Sequence, residues 1–160
     1  MKRIVFLDID GVLNSVRYDR RRTERDGNID ESRLALLKSL IDETKAEIVL
    51  SSSWRKHWSQ TESECDPIGA ELNDTFHRNG LTISDKTPLL PALHRSFEIR
   101  MWLSEHSDQV MSFVIFDDIF SGWGDLEAYH VRTDSRIGYG LEESHLQQAK
   151  QILEGRVGNE

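Results

Sequence analysis

Short, wholly apolar runs alternate along this chain with longer segments in which apolar residues recur every three or four positions. The runs are Ile4-Val5-Phe6-Leu7, Ile48-Val49-Leu50 and Val114-Ile115-Phe116. Runs of this kind, rich in β-formers and bounded by polar residues, predict strands of a parallel sheet buried on both faces. Asp30 opens the first helical segment as an N-cap, with Ile29 and Leu34 placed as a hydrophobic staple. Its buried stripe is Leu34, Leu37, Leu40 and Ile41. Asp66-Pro67 starts a second helix that carries Ile68, Leu72 and Phe76 at four-residue spacing and ends at Asn79-Gly80. A third runs from about Ser96 to His106 with Ile99, Trp102 and Leu103 inward. A last one, after Gly138 and Gly140, runs from about Glu142 to Leu153 and packs through Leu146, Ala149 and Leu153. Leu81-Thr82-Ile83 and Ala128-Tyr129-His130-Val131 predict two further short strands. A strand, a helix and a second strand in this order predict a right-handed β-α-β unit. The pattern is that of one α/β domain over residues 1–160, with small insertions at about 14–29 and 54–91.

Each of the three strong strands ends in chemistry. The first breaks into Asp8-Ile9-Asp10-Gly11, the second into Ser51-Ser52-Ser53 and the third into Asp117-Asp118. Taken alone, Asp8 could cap a turn and Asp10 precede a tight glycine turn. In an open parallel sheet, however, ligands bind at the carboxyl ends of strands, and all three endings lie on that edge. Carboxylates gathered there repel one another unless a cation holds them, and a set of hard oxygen donors selects Mg2+. Such a site suits phosphoryl transfer, where charge on the phosphoryl oxygens must be neutralised. One carboxylate can attack phosphorus, while another, pointing differently, moves the proton. The Ser51 hydroxyl and backbone N–H groups after the first strand would hold phosphate oxygens.

Composition narrows the function classes. With 160 residues the chain has room for one domain with a real core. No apolar run is long enough to span a membrane, and Met1-Lys2-Arg3 leads straight into the first strand without a signal sequence. Cys65 is the single cysteine, which excludes an internal disulfide, fits a cytoplasmic location and reads as an incidental thiol. A formal net charge of −8 argues against a broad nucleic-acid-binding surface. Against that background Arg17, Arg20, Arg21, Arg22 and Arg25 form a local basic loop leaving the Asp8/Asp10 strand end, either a solvated loop or an anion-guiding flap. The histidines show no metal-ligand spacing. Trp54 and Trp58, just after the serines, read as core or cleft-wall residues, with stacking on a base as the alternative.

Asp8-Ile9-Asp10-Gly11-Val12 resembles the first motif, DxDx[TV], of the haloacid dehalogenase (HAD) superfamily of phosphohydrolases. Ser51 resembles its second motif and Asp117-Asp118 the acidic-pair form of its fourth. Ile48-Val49-Leu50-Ser51-Ser52-Ser53-Trp54-Arg55 and Gly140-Leu141 resemble a small, nearly capless subgroup that includes domains of nucleic-acid repair proteins. The resemblance covers essentially the whole chain. It implies a Rossmann-like three-layer α/β/α sandwich with a central mainly parallel sheet and a minimal cap. It also implies Asp8 as nucleophile and Asp10 as general acid/base. Mg2+ would be held by the Asp8 carboxylate, the Asp10 backbone carbonyl and Asp117 or Asp118. The third motif needs a basic residue, which Arg95 fits best at a helix start, with Lys86 and Arg100 as rivals. Ser51, Ser52 and Arg95 would then bind the phosphate.

Three function classes remain open on these residues. The first is a Mg2+-dependent phosphomonoesterase working through an aspartyl-phosphate. The second is a phospho-accepting signalling domain, disfavoured because such domains place adjacent acids on the first strand, whereas here the spaced pair comes first and the adjacent pair late. The third binds phosphate or nucleic-acid ends without turnover, for which a general acid is superfluous. Little cap leaves the site open to a phosphorylated small molecule or a phosphorylated nucleic-acid end, or closed by a second copy of the chain in a homodimer.

Overall fold

The computed structural model describes residues 1–14, 29–136 and 140–155. The basic loop of residues 17–25, and with it the expected anion-guiding flap, lies outside the described residues, as does Gly138. The elements run β1 (Lys2–Leu7), α1 (Glu31–Thr44), β2 (Glu47–Leu50), α2 (Pro67–Arg78), β3 (Ile83–Lys86), α3 (Arg95–Glu105), β4 (Val110–Asp117), β5 (His130–Arg132) and α4 (Glu143–Leu153). Short 3-10 helices at Ser53–Lys56, Glu62–Glu64 and Gly124–Tyr129 punctuate the loops.

The strands form a five-stranded sheet in the order β3-β2-β1-β4-β5. All four pairings are parallel. The sheet is therefore wholly parallel where a mainly parallel one was expected. Alternation of side chains along each strand divides the core in two. Val5, Leu7, Ile48, Leu50, Val114, Phe116 and Val131 face a layer supplied by α1, α2 and α4 through Leu34, Leu37, Leu40, Leu72, Phe76, Leu146, Ala149 and Leu153. Ile4, Phe6, Val49 and Ile115 face the other way, against Ile99 and Trp102 of α3 and the loop residues Trp123 and Leu126. This is a three-layer α/β/α sandwich of Rossmann-like type.

The helix starts follow the capping signals. Asp30 caps α1 by accepting the Ser32 N–H, and Ile29 packs on the core beside Leu34. Asp66 caps α2 by accepting the N–H groups of Ile68 and Gly69, with Pro67 at the first helical position. The two weak strands moved. The third strand begins at Ile83, not Leu81, because Leu81 is buried below the sheet while Asp85 and Lys86 continue the pairing with β2. The segment expected as a strand from Ala128 is 3-10 helix up to Tyr129, and only His130–Arg132 pairs with β4. Residues 54–91, expected as an insertion, supply α2 and β3 to the sandwich itself.

The strand order reverses between β1 and β4: β2 and β3 extend to one side and β5 to the other. In doubly wound sheets that switch point opens a crevice at the carboxyl edge, because the connections leaving the two strands go in opposite directions. Asp8 and Asp117 stand at that edge, since the register pairs Leu7 with Phe116 and the Asp8 N–H donates to the Phe116 carbonyl at 3.0 Å.

Candidate active site at the switch point

Alternation turns Asp8, Ser51 and Asp117 to the α3 side of the sheet, since their strand predecessors Leu7, Leu50 and Phe116 face the opposite core. Oxygen atoms of Asp8, Asp117 and Asp118 lie within 4.8 Å of one another. Asp8 and Asp117 are buried and Asp118 half-buried. Asp8 accepts its neighbour's Ile9 N–H on Oδ1 at 2.9 Å, and Asp117 accepts the Ile119 N–H on Oδ1 at 2.9 Å. These local bonds leave each Oδ2 turned to the centre.

Arg95, the first residue of α3, reaches into this cluster. Its Nη1 lies 3.1 Å from Asp8 Oδ2 and 2.7 Å from Asp117 Oδ2. His94 sets that helix start, its side chain accepting the Ser96 N–H at 3.0 Å. Burial pushes the Asp8 carboxyl well above the usual range, and the charges of Asp117 and Asp118 add to the shift against the pull of Arg95. Burial and the Asp117 charge raise Asp118 as well. Burial works against the Arg95 charge, but Asp8 and Asp117 overcome it and hold the guanidinium protonated. One cation among three acids leaves the centre short of positive charge. A cluster of hard, closely set oxygens, in which burial and neighbouring charge raise Asp8 and Asp118, fits a divalent cation of the Mg2+ type.

The rivals to Arg95 are spent elsewhere. Lys86 Nζ donates to the carbonyls of Arg55 at 3.0 Å and Trp58 at 2.6 Å, pinning the 3-10 helix that follows Ser52. Arg100 is bound to Asp125 and to the Trp123 carbonyl.

Asp10 stands apart from the three clustered acids. Its Oδ1 accepts Asn14 Nδ2–H at 3.1 Å and its Oδ2 accepts the Trp54 indole N–H at 3.1 Å. Asn14 in turn accepts the Gly11 N–H at 3.0 Å, which closes the loop after β1. Both carboxylate oxygens are thus oriented by donors. Trp54 and Trp58 do not offer faces for stacking: they are 2% and 3% exposed, and Trp58 donates its indole N–H to Asn73. Both are core residues, and neither can stack on a base.

Ser51 and Ser52 part company. The Ser51 hydroxyl is buried and finds no hydrogen-bond partner among the described residues. A buried hydroxyl without a partner is costly unless something else meets it. Ser52, expected beside it on phosphate, is buried at the N-cap of the 3-10 helix, where its Oγ accepts the Trp54 N–H at 3.2 Å. That bond engages the hydroxyl as an acceptor where the chain turns from strand to helix.

Sequence reasoning missed several supports. Thr133 donates its hydroxyl to the Gly11 carbonyl at 2.7 Å, tying β5's end to the loop between the two aspartates and Asn14. Arg55 and Glu98 form a buried ion pair joining the serine loop to α3, and Glu98 also accepts the Leu90 N–H. Asn14, four residues after Asp10, was within reach of a local reading, but Thr133 and Glu98 carry no signal at short range. Gly11 is required twice over. Its φ is +83°, and a Cβ there would stand 2.4 Å from Asp118 Oδ2 and 2.9 Å from Asp118 Cβ. Gly11→Ala should therefore cost about 2–4 kcal/mol, the left-handed penalty plus the overlap. Thermal unfolding checks this, and an unchanged Tm would show that the loop and Asp118 relax freely.

The fold and this constellation define a HAD-superfamily domain, a phosphohydrolase-type class. Within it, the family described as "HAD domain in Swiss Army Knife RNA repair proteins" matches residues 4–146, and the chain belongs to that family. No curated protein and no solved structure is significantly similar to the chain.

Proposed function

We propose that the protein is a Mg2+-dependent phosphomonoesterase that acts through an aspartyl-phosphate on Asp8. The observation that carries this reading is the meeting of Asp8, Asp117, Asp118 and Arg95 beside the unpartnered Ser51 hydroxyl at the switch point. The phosphate of a substrate is met by Ser51 and Arg95. An Asp8 oxygen attacks phosphorus as the bond to the ester oxygen breaks, and the departing oxygen takes a proton from the Asp10 carboxyl. Water then attacks the aspartyl-phosphate, Asp10 takes its proton, and orthophosphate leaves with Asp8 restored. Asp8, Asp117, Asp118 and the Asp10 backbone carbonyl would hold Mg2+. When bound, the ion offsets the negative charge of the phosphoryl group and of the acids around it.

Asp10 is suited to this work because Trp54 and Asn14 hold its carboxyl outside the acid cluster, free of the Arg95 pair. A module that only binds phosphate has no use for such an oriented second acid. For the substrate, the family's description points to phosphorylated nucleic-acid ends, with small phosphorylated metabolites as the rival. A chain of net charge −8 fits contact with an end better than with a long stretch of polyanion. A single cysteine is compatible with the cytoplasmic setting we propose, and among the described residues no helix is long and apolar enough to cross a membrane.

The deciding experiment measures phosphate release from a panel of 3′- and 5′-phosphorylated oligonucleotides, nucleotides and sugar phosphates, with Mg2+ and with a chelator. The expected result is Mg2+-dependent release, with the highest kcat/KM on an oligonucleotide end. Tight binding of those ends without release would establish the binding module instead.

A further inference from the structure

An exposed aromatic ring and an untied guanidinium lie together beside the acid cluster. Phe120 is the second residue after Asp118, in the loop leaving β4, and is 68% exposed. The Arg132 guanidinium lies over its ring, 5.3 Å from the centroid. Arg132 ends β5, and its Cα is the register partner of Asp117. Neighbouring strands are about 4.8 Å apart, so Arg132 starts one strand away from the candidate metal ligands. Val131 is wholly buried in the core of α1, α2 and α4, and alternation therefore turns Arg132 to the same side of the sheet as Asp117.

Exposure of one phenylalanine means little by itself. Two further features set this pair apart. Arg132 is exposed and makes no hydrogen bond or ion pair among the described residues. Asp134, which feels its charge, is taken by two nitrogens of Arg136. A second aromatic–arginine pair among the described residues, Phe97 with Arg100 at 5.9 Å, is built differently, because Arg100 is bound to Asp125 and the Trp123 carbonyl. Arg100 thus serves the loop after β4, whereas Arg132 keeps its donors open at the mouth of the site. In a strongly acidic chain, an open guanidinium on an exposed ring suits a ligand carrying both a flat π-face and negative charge.

We propose that Phe120 and Arg132 form a nucleobase-stacking subsite: the base next to the hydrolysed phosphate stacks on the Phe120 ring, and Arg132 meets the following phosphate. The inference rests on the phosphatase reading only for where the terminal phosphate sits. It separates a nucleotide or nucleic-acid end from a sugar phosphate, which has no face to stack. A mononucleotide would use Phe120 alone, and an oligonucleotide would use both residues.

The test measures binding by fluorescence anisotropy on the full chain carrying Asp8→Asn, in Mg2+, so that the probe keeps its phosphate. The probes are an end-phosphorylated oligonucleotide labelled at its far end and the same oligonucleotide with an abasic terminal position. Phe120→Ala should raise Kd about tenfold for the base-bearing probe, within the range that stacking supplies. It should have little further effect on the abasic probe, and Phe120→Tyr should restore affinity. Arg132→Gln should lower the slope of log Kd against log salt by about one for the oligonucleotide, and much less for unlabelled nucleoside monophosphate used as competitor. Equal losses on both probes, a Kd within twofold of the parent, or no measurable oligonucleotide binding would each overturn the subsite. Stacking retained in a wild-type chain that releases no phosphate would instead overturn the phosphatase reading and leave the subsite standing.

Discussion

Asp8→Asn should lower phosphate release on the order of 10³-fold or more while the chain remains folded. The amide keeps the side chain's size and can still accept the Ile9 N–H, but it cannot attack phosphorus. The fold should not suffer, for a specific reason. Burial and the neighbouring acids disfavour the charged form of Asp8, so its carboxyl titrates above the unfolded value. A carboxyl raised in this way contributes stability below its unfolded pKa, near 4, and that contribution is lost as pH rises through the folded value. At pH 7 the neutral amide avoids the penalty, although Arg95 gives up one partner. The Tm of the metal-free variant should therefore equal or exceed that of the wild type. Residual turnover near the wild-type rate would exclude Asp8 as nucleophile, and a collapsed Tm would mean that its pair with Arg95 outweighs desolvation.

The second large effect concerns the cation. Chelation should abolish turnover, and Mg2+ should raise the Tm of the resting protein in a pH-dependent way. At a free concentration a hundred times its Kd, a ligand bound only to the folded state contributes about 2.7 kcal/mol. In a chain of this length that corresponds to roughly 5–10 °C. The shift should shrink as pH falls into the acid range, because Asp8 and Asp118 are both raised and their protons compete with the ion there. Without metal the contribution of these two acids reverses sign: their forced ionisation subtracts stability as pH climbs from the acid range, producing a decline that belongs to the site. Asp118→Asn should flatten that decline and weaken the Mg2+ effect together. Calorimetry across pH with and without Mg2+ measures all of this, and a Tm indifferent to Mg2+ at pH 7 would remove the metal centre from the account.

Much of the fold was legible because its signals are local. The runs at Ile4–Leu7, Ile48–Leu50 and Val114–Phe116 need only their own residues to declare buried strands, and Asp30 and Asp66-Pro67 declare helix starts by the bonds they make within three residues. The short strands were harder. Whether Leu81 or Lys86 pairs with β2 depends on a partner strand far along the chain, and apolar content alone placed the element two residues early. The stretch before His130 is apolar enough for a strand, yet the chain there spends its residues on a 3-10 turn that packs Leu126 against the α3 side of the sheet.

The site divides along the same line. Residue types at strand ends marked Asp8, Ser51 and Asp117-Asp118, because a parallel sheet must bring such ends to one edge. Between neighbouring serines the difference was invisible: only the turn into the 3-10 helix commits the Ser52 hydroxyl to a cap and leaves Ser51 unpartnered. The choice of Arg95 over Lys86 and Arg100 likewise came from where α3 begins relative to β1 and β4. By itself, then, the chain determined a parallel α/β sandwich with acids and a serine at its carboxyl edge, since strand burial and alternation are properties of consecutive residues. The tertiary structure alone decided which cation faces those acids, that Trp54 orients Asp10, and that Arg132 lies on Phe120. Each of these is a pairing between segments whose meeting is set by strand order, which no local pattern encodes.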